Sequence, residues 1–181
     1  MVAAPLQKLD QGVLIDGYSQ PGTSVNTDPL GTNAVLAIEI DGSAAGSSPT
    51  LKIGFNAGNS IVRGLAIGGS PGAGLTVSAS GTTVKGCFIG TDAAGALARP
   101  NSVGIDPFNG GSNLTVGGSA AADRNLISGN SFGIYIQEHG IIMVRTESGG
   151  KLPDLAIGDR VRILPNHACA TGAQHRAYHV V

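Results

Sequence analysis

Short stretches in which apolar and polar residues alternate recur from about residue 12 to residue 136, and each breaks at Gly, Asn or Ser. A two-residue period predicts β-strands, because successive side chains of a strand point to opposite faces of the sheet. Stretches this short leave no room for an amphipathic helix. The pattern therefore predicts an all-β region of short strands joined by tight turns.

Two of these stretches are copies of each other. IVRGLAI at residues 61–67 is echoed by TVKGCFI at residues 83–89. A second series consists of three similar stretches that begin at Gly74, Gly104 and Gly133 and lie further apart in the sequence. Short strands cannot bury a face alone, but coils of about 22 residues stacked about 4.8 Å apart build a continuous core. The repeat predicts a parallel β-solenoid.

The segments VLIDGYSQPG (13–22), CFIGTDAAG (87–95) and RNLISGNSFGIYI (124–136) resemble the right-handed parallel β-helix repeats of large bacterial surface and secreted proteins. The resemblance implies a right-handed parallel β-helix over residues 12–136, preceded by a tail at residues 1–11. It also implies a scaffold of secreted or cell-surface origin, and little about activity.

Composition narrows the range of functions. The chain has 29 glycines, no tryptophan and a net charge of −1, so we expect no basic stripe and no nucleic-acid partner. No apolar run approaches the roughly 20 residues of a membrane-spanning helix, and the first residues lack the apolar core of a signal peptide. We expect no membrane span, and the compartment stays open.

The strand region offers no clustered carboxylates for acid–base chemistry, so it predicts no catalytic and no cofactor-binding residue. Four of its aspartates each follow a predicted strand and are predicted to accept hydrogen bonds from turn amides. These four are Asp16, Asp41, Asp92 and Asp106. Cys87 aligns with Leu65 in the repeat and is predicted to be a packed thiol.

A change in composition near Gln137 predicts a second unit at residues 137–181, folded as a short β segment. All four histidines lie beyond that point, and charged residues become more frequent there. Residues 161–164 alternate as a strand, and His167 and Cys169 follow it two positions apart, so both side chains could face one cation. Nitrogen with sulfur suits zinc, although a zinc site needs three or four ligands.

EHG at residues 138–140, GDRVRILPNHACAT at residues 158–171 and the closing residues 175–181 resemble the C-terminal β-domain of the D-threonine aldolase and D-serine dehydratase family. The resemblance implies that His167 and Cys169 bind a divalent metal, zinc or manganese, beside pyridoxal phosphate. It implies a Lewis-acid role for that metal and a cytoplasmic origin. Glu138 and His139 match a family element to which no catalytic role is assigned.

The chain departs from that family in one decisive respect. The family's pyridoxal phosphate lysine belongs to a large barrel domain, and none of the four lysines here has a corresponding position: Lys8, Lys52, Lys85 and Lys151. The chain also stops in the strand after the metal motif. We therefore expect no bound pyridoxal phosphate and no lyase activity from this chain alone, with the barrel domain as a missing partner.

Three functional interpretations follow. The leading one is a non-catalytic β-helix scaffold fused, in a natural or artificial chimera, to an incomplete metal-binding segment of the D-serine dehydratase type. The alternative is a fragment or partner of a pyridoxal phosphate- and metal-dependent lyase acting on D-hydroxy amino acids. The third is a carbohydrate-binding or adhesive solenoid. For the scaffold, we expect residues 141–145 and 161–164 to cap the coil, and self-association through the solenoid ends.

Overall fold

The structure is a computed structural model that describes residues 6–108 and 112–134. The chain divides into two units, Met1–Tyr135 and Ile136–Val181, and every described residue belongs to the first. The predicted segment 137–181, with its expected capping strands at 141–145 and 161–164, lies outside the described residues. The predicted domain boundaries thus remain a prediction.

The described residues form twelve short strands and two single-turn 3₁₀ helices, Gly17–Ser19 and Ala121–Asp123. Most strands end where a glycine or a polar turn residue interrupts the alternation. The strands are β1 (Leu14–Asp16), β2 (Ile38–Asp41), β3 (Leu51–Ile53), β4 (Ile61–Arg63), β5 (Leu65–Gly68), β6 (Ala73–Val77), β7 (Thr83–Lys85), β8 (Phe88–Ile89), β9 (Val103–Asp106), β10 (Thr115–Val116), β11 (Leu126–Ile127) and β12 (Phe132–Ile134).

These strands build three parallel sheets of four strands each, and each sheet takes every third strand of the chain. The first sheet has the order β1-β4-β7-β10, the second β2-β5-β8-β11 and the third β3-β6-β9-β12. One pass of the chain therefore adds one strand to each sheet. Backbone hydrogen bonds between successive passes satisfy the polar groups that such short strands cannot satisfy alone.

The register pairs several residues that the sequence pattern aligned. Ile61 lies beside Thr83, as the two aligned copies predict. In the third sheet, Val103 pairs with Ala73 on one side and with Phe132 on the other. Each of these three residues directly precedes a glycine of the second series, so the register of the third sheet follows that series.

The predicted fold class, an all-β right-handed parallel β-helix (solenoid) followed by a short β segment, is wrong as stated. It took about 22 residues as the basic coil, with added length at residues 93–100 and 117–123, and the spacing of the two aligned copies holds only between β4 and β7 and between β5 and β8. Other passes are longer, since Leu14 pairs with Ile61 and Phe88 pairs with Leu126. Long connections change the length of each pass, so three four-stranded parallel sheets describe the molecule and a uniform coil does not.

Aliphatic side chains from all three sheets form the main core. The buried members come mostly from β3 to β9, and each fully buried side chain contributes about 1.5–3 kcal/mol to folding. Fully buried examples are Ile53, Val62, Ile67, Leu75, Val77, Val84, Ile89 and Ile105. Val, Ile and Leu predominate among these side chains.

A second, smaller cluster lies on the opposite face of the second sheet. Ala66 and Phe88 alternate with core residues along β5 and β8, so their side chains point away from the main core. Leu36 packs against them, and Phe88 is 2% exposed. The sheet is therefore covered on both faces here. No helix in the described residues is long and apolar enough to cross a membrane.

Candidate functional site

The predicted metal ligands, His167 and Cys169, lie outside the described residues, as do Glu138 and His139. Within residues 6–108 and 112–134, no group of three or more His, Cys, Asp and Glu side chains is placed to hold a metal ion. The metal site stays a prediction that rests on the donor chemistry of one imidazole and one thiolate.

The described lysines do not fit a pyridoxal phosphate site. Lys8 and Lys85 form ion pairs, with Nζ 2.9 Å from Asp10 Oδ2 and from Asp123 Oδ1, respectively. Lys52 lies in β3 between two buried residues and so points away from the core. A Schiff-base lysine needs a desolvated amine that gives up its proton. The amines of Lys8 and Lys85 are instead engaged by carboxylates.

A polar cluster lies on the outer face of the first sheet, and we call it the Tyr18 cluster: Asp16, Tyr18, Arg63, Lys85 and Asp123. Asp16 ends β1, and its Oδ1 accepts a hydrogen bond from the Tyr18 backbone N–H at 3.0 Å. Its Oδ2 lies 2.6 Å from Arg63 Nη2 on β4. The hydrogen bond from Arg63 lowers the pKa of Asp16 and raises that of Arg63.

Tyr18 crosses the corner where β4 and β7 end. Its hydroxyl donates a hydrogen bond to the Gly86 carbonyl at 2.8 Å. Burial raises the pKa of Tyr18 to about 12, so the phenol keeps its proton at neutral pH. The hydroxyl is engaged and the charged side chains of the cluster form two ion pairs. The cluster therefore stabilises this corner and offers no free acid or base.

The aspartates predicted to bind turn amides do so at three of the four positions. Asp16 accepts from the Tyr18 amide, Asp41 from the Ser43 amide at 2.9 Å, and Asp92 from two amides of its turn. The amide hydrogen bonds lower the pKa of Asp41 and Asp92. Asp106 differs: it lies at the end of β9, and burial raises its pKa.

Cys87 is a packed thiol, as predicted. Its side chain is fully buried, and burial raises its pKa to about 11. The sulfur lies 3.5 Å from the Lys85 carbonyl oxygen and 3.7 Å from that of Val62. A thiol in this environment stays protonated and does not act as a nucleophile or metal ligand at neutral pH.

The sequence pattern did not indicate the roles of Tyr18, Arg63 and Asp123. The available signal was the alignment of Gly64 with Gly86, since two glycines at one corner indicate that a side chain passes close to the backbone. The partner was not predictable because Tyr18 lies 68 residues before Gly86.

Residues 101–181 match the family model described as "Putative serine dehydratase domain". A 46-residue segment is 54% identical to a D-threo-3-hydroxyaspartate dehydratase of Delftia sp. (strain HT23). The C-terminal part of the chain is D-serine dehydratase-like. The segment spans 23% of this chain but only 12% of the relative's length. No solved structure matches the chain.

These matches confirm the predicted resemblance to D-serine dehydratases. This family suggests dependence on pyridoxal phosphate in its full-length enzymes. They do not support the β-helix resemblance or the non-catalytic scaffold as the main interpretation, and they add nothing in favour of zinc or manganese. The family match begins at Asn101 and takes in β9 to β12, so it crosses the predicted boundary at residue 137. The three-sheet region and the dehydratase-like segment therefore overlap in sequence.

Proposed function

We propose that this chain is a fragment or partner of a pyridoxal phosphate- and metal-dependent D-amino-acid lyase of the D-serine dehydratase type. The observation that carries the proposal is the 54% identity over 46 residues to a D-threo-3-hydroxyaspartate dehydratase. That match spans 12% of the relative, so the barrel and its cofactor lysine lie outside the matching segment.

In this proposal, His167 and Cys169 supply two ligands to a divalent metal. An imidazole nitrogen and a thiolate suit zinc better than manganese, which prefers carboxylate oxygens. Further ligands come from the dehydratase-like segment or from the barrel-bearing partner, since a zinc site has at least three protein ligands. When bound, the metal supplies Lewis-acid polarisation of a substrate hydroxyl.

The first test measures the metal content of the purified full-length chain after exposure to zinc and removal of excess metal. We expect near-stoichiometric zinc in the natural chain and its loss in His167→Ala and in Cys169→Ser. Gln174→Ala is the matched control, because it changes a polar side chain of the same segment that is not a usual zinc ligand. Metal-free natural protein, or equal loss in the control, would contradict the metal site.

The second test asks what the chain does catalytically. When the chain is incubated alone with pyridoxal phosphate and D-serine, we expect no absorbance band of a pyridoxal aldimine and no formation of keto acid. Mixed with the Delftia relative from which the matching segment has been deleted, it is expected to restore keto acid formation. Failure to restore activity in the mixture would refute the fragment-or-partner role, and activity of the chain alone would refute the need for a second polypeptide.

A further inference from the structure

Residues 24–35 form a loop that is closed at its base and held together at its tip; we call it the latch loop. At the base, Ser24 and Val35 exchange backbone hydrogen bonds of 3.1 and 2.9 Å. At the tip, Asn26 is 2% exposed, and its Oδ1 accepts from the amides of Asp28 and Asn33 while Nδ2 donates to the Gly31 carbonyl. Hydrogen bonds between its own residues therefore hold the loop together.

Polar contacts to a distant segment dock the latch loop. Arg124 Nη1 donates to the carbonyl oxygens of Asp28 and Gly31 at 2.9 and 3.3 Å, and Nη2 donates to that of Pro29. Asn26 Nδ2 also donates to the Ala121 carbonyl at 3.0 Å. One guanidinium thus binds three carbonyls of a segment far away in sequence, in a charge-assisted arrangement that a lysine would not reproduce.

Ala34 in the latch loop and Leu36 just after the loop cover an apolar row on the outer face of the second sheet. Ala34 and Leu36 belong to the cluster that contains Ala66 and Phe88, and Leu126 packs at its edge. Phe88 pairs with Leu126 in the register, so the covered row extends from β5 to β11. Without this cover, the row would be exposed to water.

We propose that the latch loop is a cover that undocks as a unit, and that Arg124 is the positioning residue that holds it closed. The loop keeps its own hydrogen bonds when it undocks, whereas its polar contacts with residues 121–124 centre on Arg124 and Asn26. Undocking withdraws Ala34 from the cluster that contains Ala66 and Phe88. It also releases residues 121–126, which lie within the stretch that matches the dehydratase family.

Hydrogen exchange of the full-length chain tests this inference. In Arg124→Ala, we expect amides of residues 24–35 and 121–127 to exchange about tenfold faster or more, with β5 and β6 unchanged. Arg99→Ala is the matched control, because Arg99 is half-exposed and lies 3.6 Å from Glu39. An unchanged latch loop, or equal acceleration throughout the sheets, would overturn the proposal.

A second measurement needs no variant and so stands even if Arg124→Ala does not fold. Native-state exchange of the natural chain in low urea should show residues 24–35 opening with a weaker denaturant dependence than β5 and β6, because undocking exposes less surface than global unfolding. An identical free energy and denaturant dependence for both regions would show that the loop opens only with the whole fold, and the proposal would fail.

Discussion

At Gly64 and Gly86 the backbone has φ values of +71° and +61°, and Tyr18 occupies the space into which a Cβ would project. A Cβ on Gly64 would lie 2.8 Å from both the Tyr18 ring and the Tyr18 backbone nitrogen. Glycine is thus required there for two reasons, the left-handed conformation and the close approach.

Gly64→Ala is therefore expected to destabilise the fold by about 2–3 kcal/mol in urea unfolding, through strain and displacement of Tyr18. Gly46→Ala is the matched control, because Gly46 has a φ of +61° but nothing within 4 Å of the added Cβ. We expect about 1 kcal/mol for the control. Equal losses would show that Tyr18 packing contributes nothing.

The Asp16–Arg63 pair gives the fold a defined acid sensitivity. Arg63 holds the pKa of Asp16 below its ordinary value of 3.8. A lowered pKa in the folded state stabilises the protein above the unfolded-state value, and that contribution is lost as the pH falls below it. Asp16→Asn should cost about 1 kcal/mol at neutral pH and flatten the decline in stability below about pH 4.

Arg63→Gln removes the partner of Asp16. It should likewise flatten the decline in the free energy of unfolding below about pH 4, measured by urea unfolding between about pH 2 and pH 7. If the acid-side slope of either variant equals that of the natural chain, the pair does not account for the acid sensitivity.

At the scale of the element, asparagines connect successive passes between the second and third sheets. Asn101 is 1% exposed; its Oδ1 accepts from the Ser70 amide at 3.0 Å, and its Nδ2 donates to the Ile67 carbonyl at 3.1 Å and to Asn130 Oδ1 at 2.9 Å. Asn130 Nδ2 in turn donates to the Ile89 carbonyl at 2.8 Å. The side chains satisfy backbone groups where the chain turns between sheets.

Asn101→Ala should cost about 2 kcal/mol in urea unfolding, because it leaves the buried Ser70 amide without its acceptor and removes one of the two donors to the Ile67 carbonyl. Asn56→Ala, at an exposed turn, should change stability by less than about 0.5 kcal/mol. A loss below about 1 kcal/mol for Asn101→Ala would mean that water or a shifted side chain replaces the lost bonds.

The sequence predicted strands and part of their register at this scale, and the reason is local. IVRGLAI and TVKGCFI carry the same in–out pattern, so shifting the pairing by one residue would place Val62 and Val84 on the solvent face. The pairings of Leu14 with Ile61 and of Phe88 with Leu126 were not predicted, because connections of unequal length carry no periodic signal.

At the scale of the whole molecule, three consecutive strands form one edge of the three sheets, and three other consecutive strands form the opposite edge. β1, β2 and β3 lie at one edge, where Leu9 also bridges to Ile53 of β3, and β10, β11 and β12 lie at the other. Edge strands present backbone donors and acceptors to a further strand, so the self-association expected from the sequence remains a prediction for this arrangement.

Sedimentation velocity at increasing protein concentration should then show oligomers that Thr115→Lys, in edge strand β10, weakens. Thr83→Lys is the control, because Thr83 pairs on both sides within the same sheet. A chain that stays monomeric at every concentration would contradict the prediction, as would equal effects of the two substitutions.

Local pattern in the sequence determined the strands, the in–out alternation and the turn roles of Asp16, Asp41 and Asp92, since each depends on neighbours within a few residues. The packed thiol of Cys87 followed from its alignment with Leu65 in the repeat. The tertiary structure decided how passes of unequal length divide among three sheets. It also placed Tyr18 over Gly86 and Arg124 on the latch loop, because contacts across 68 to 96 residues arise only when the chain returns on itself.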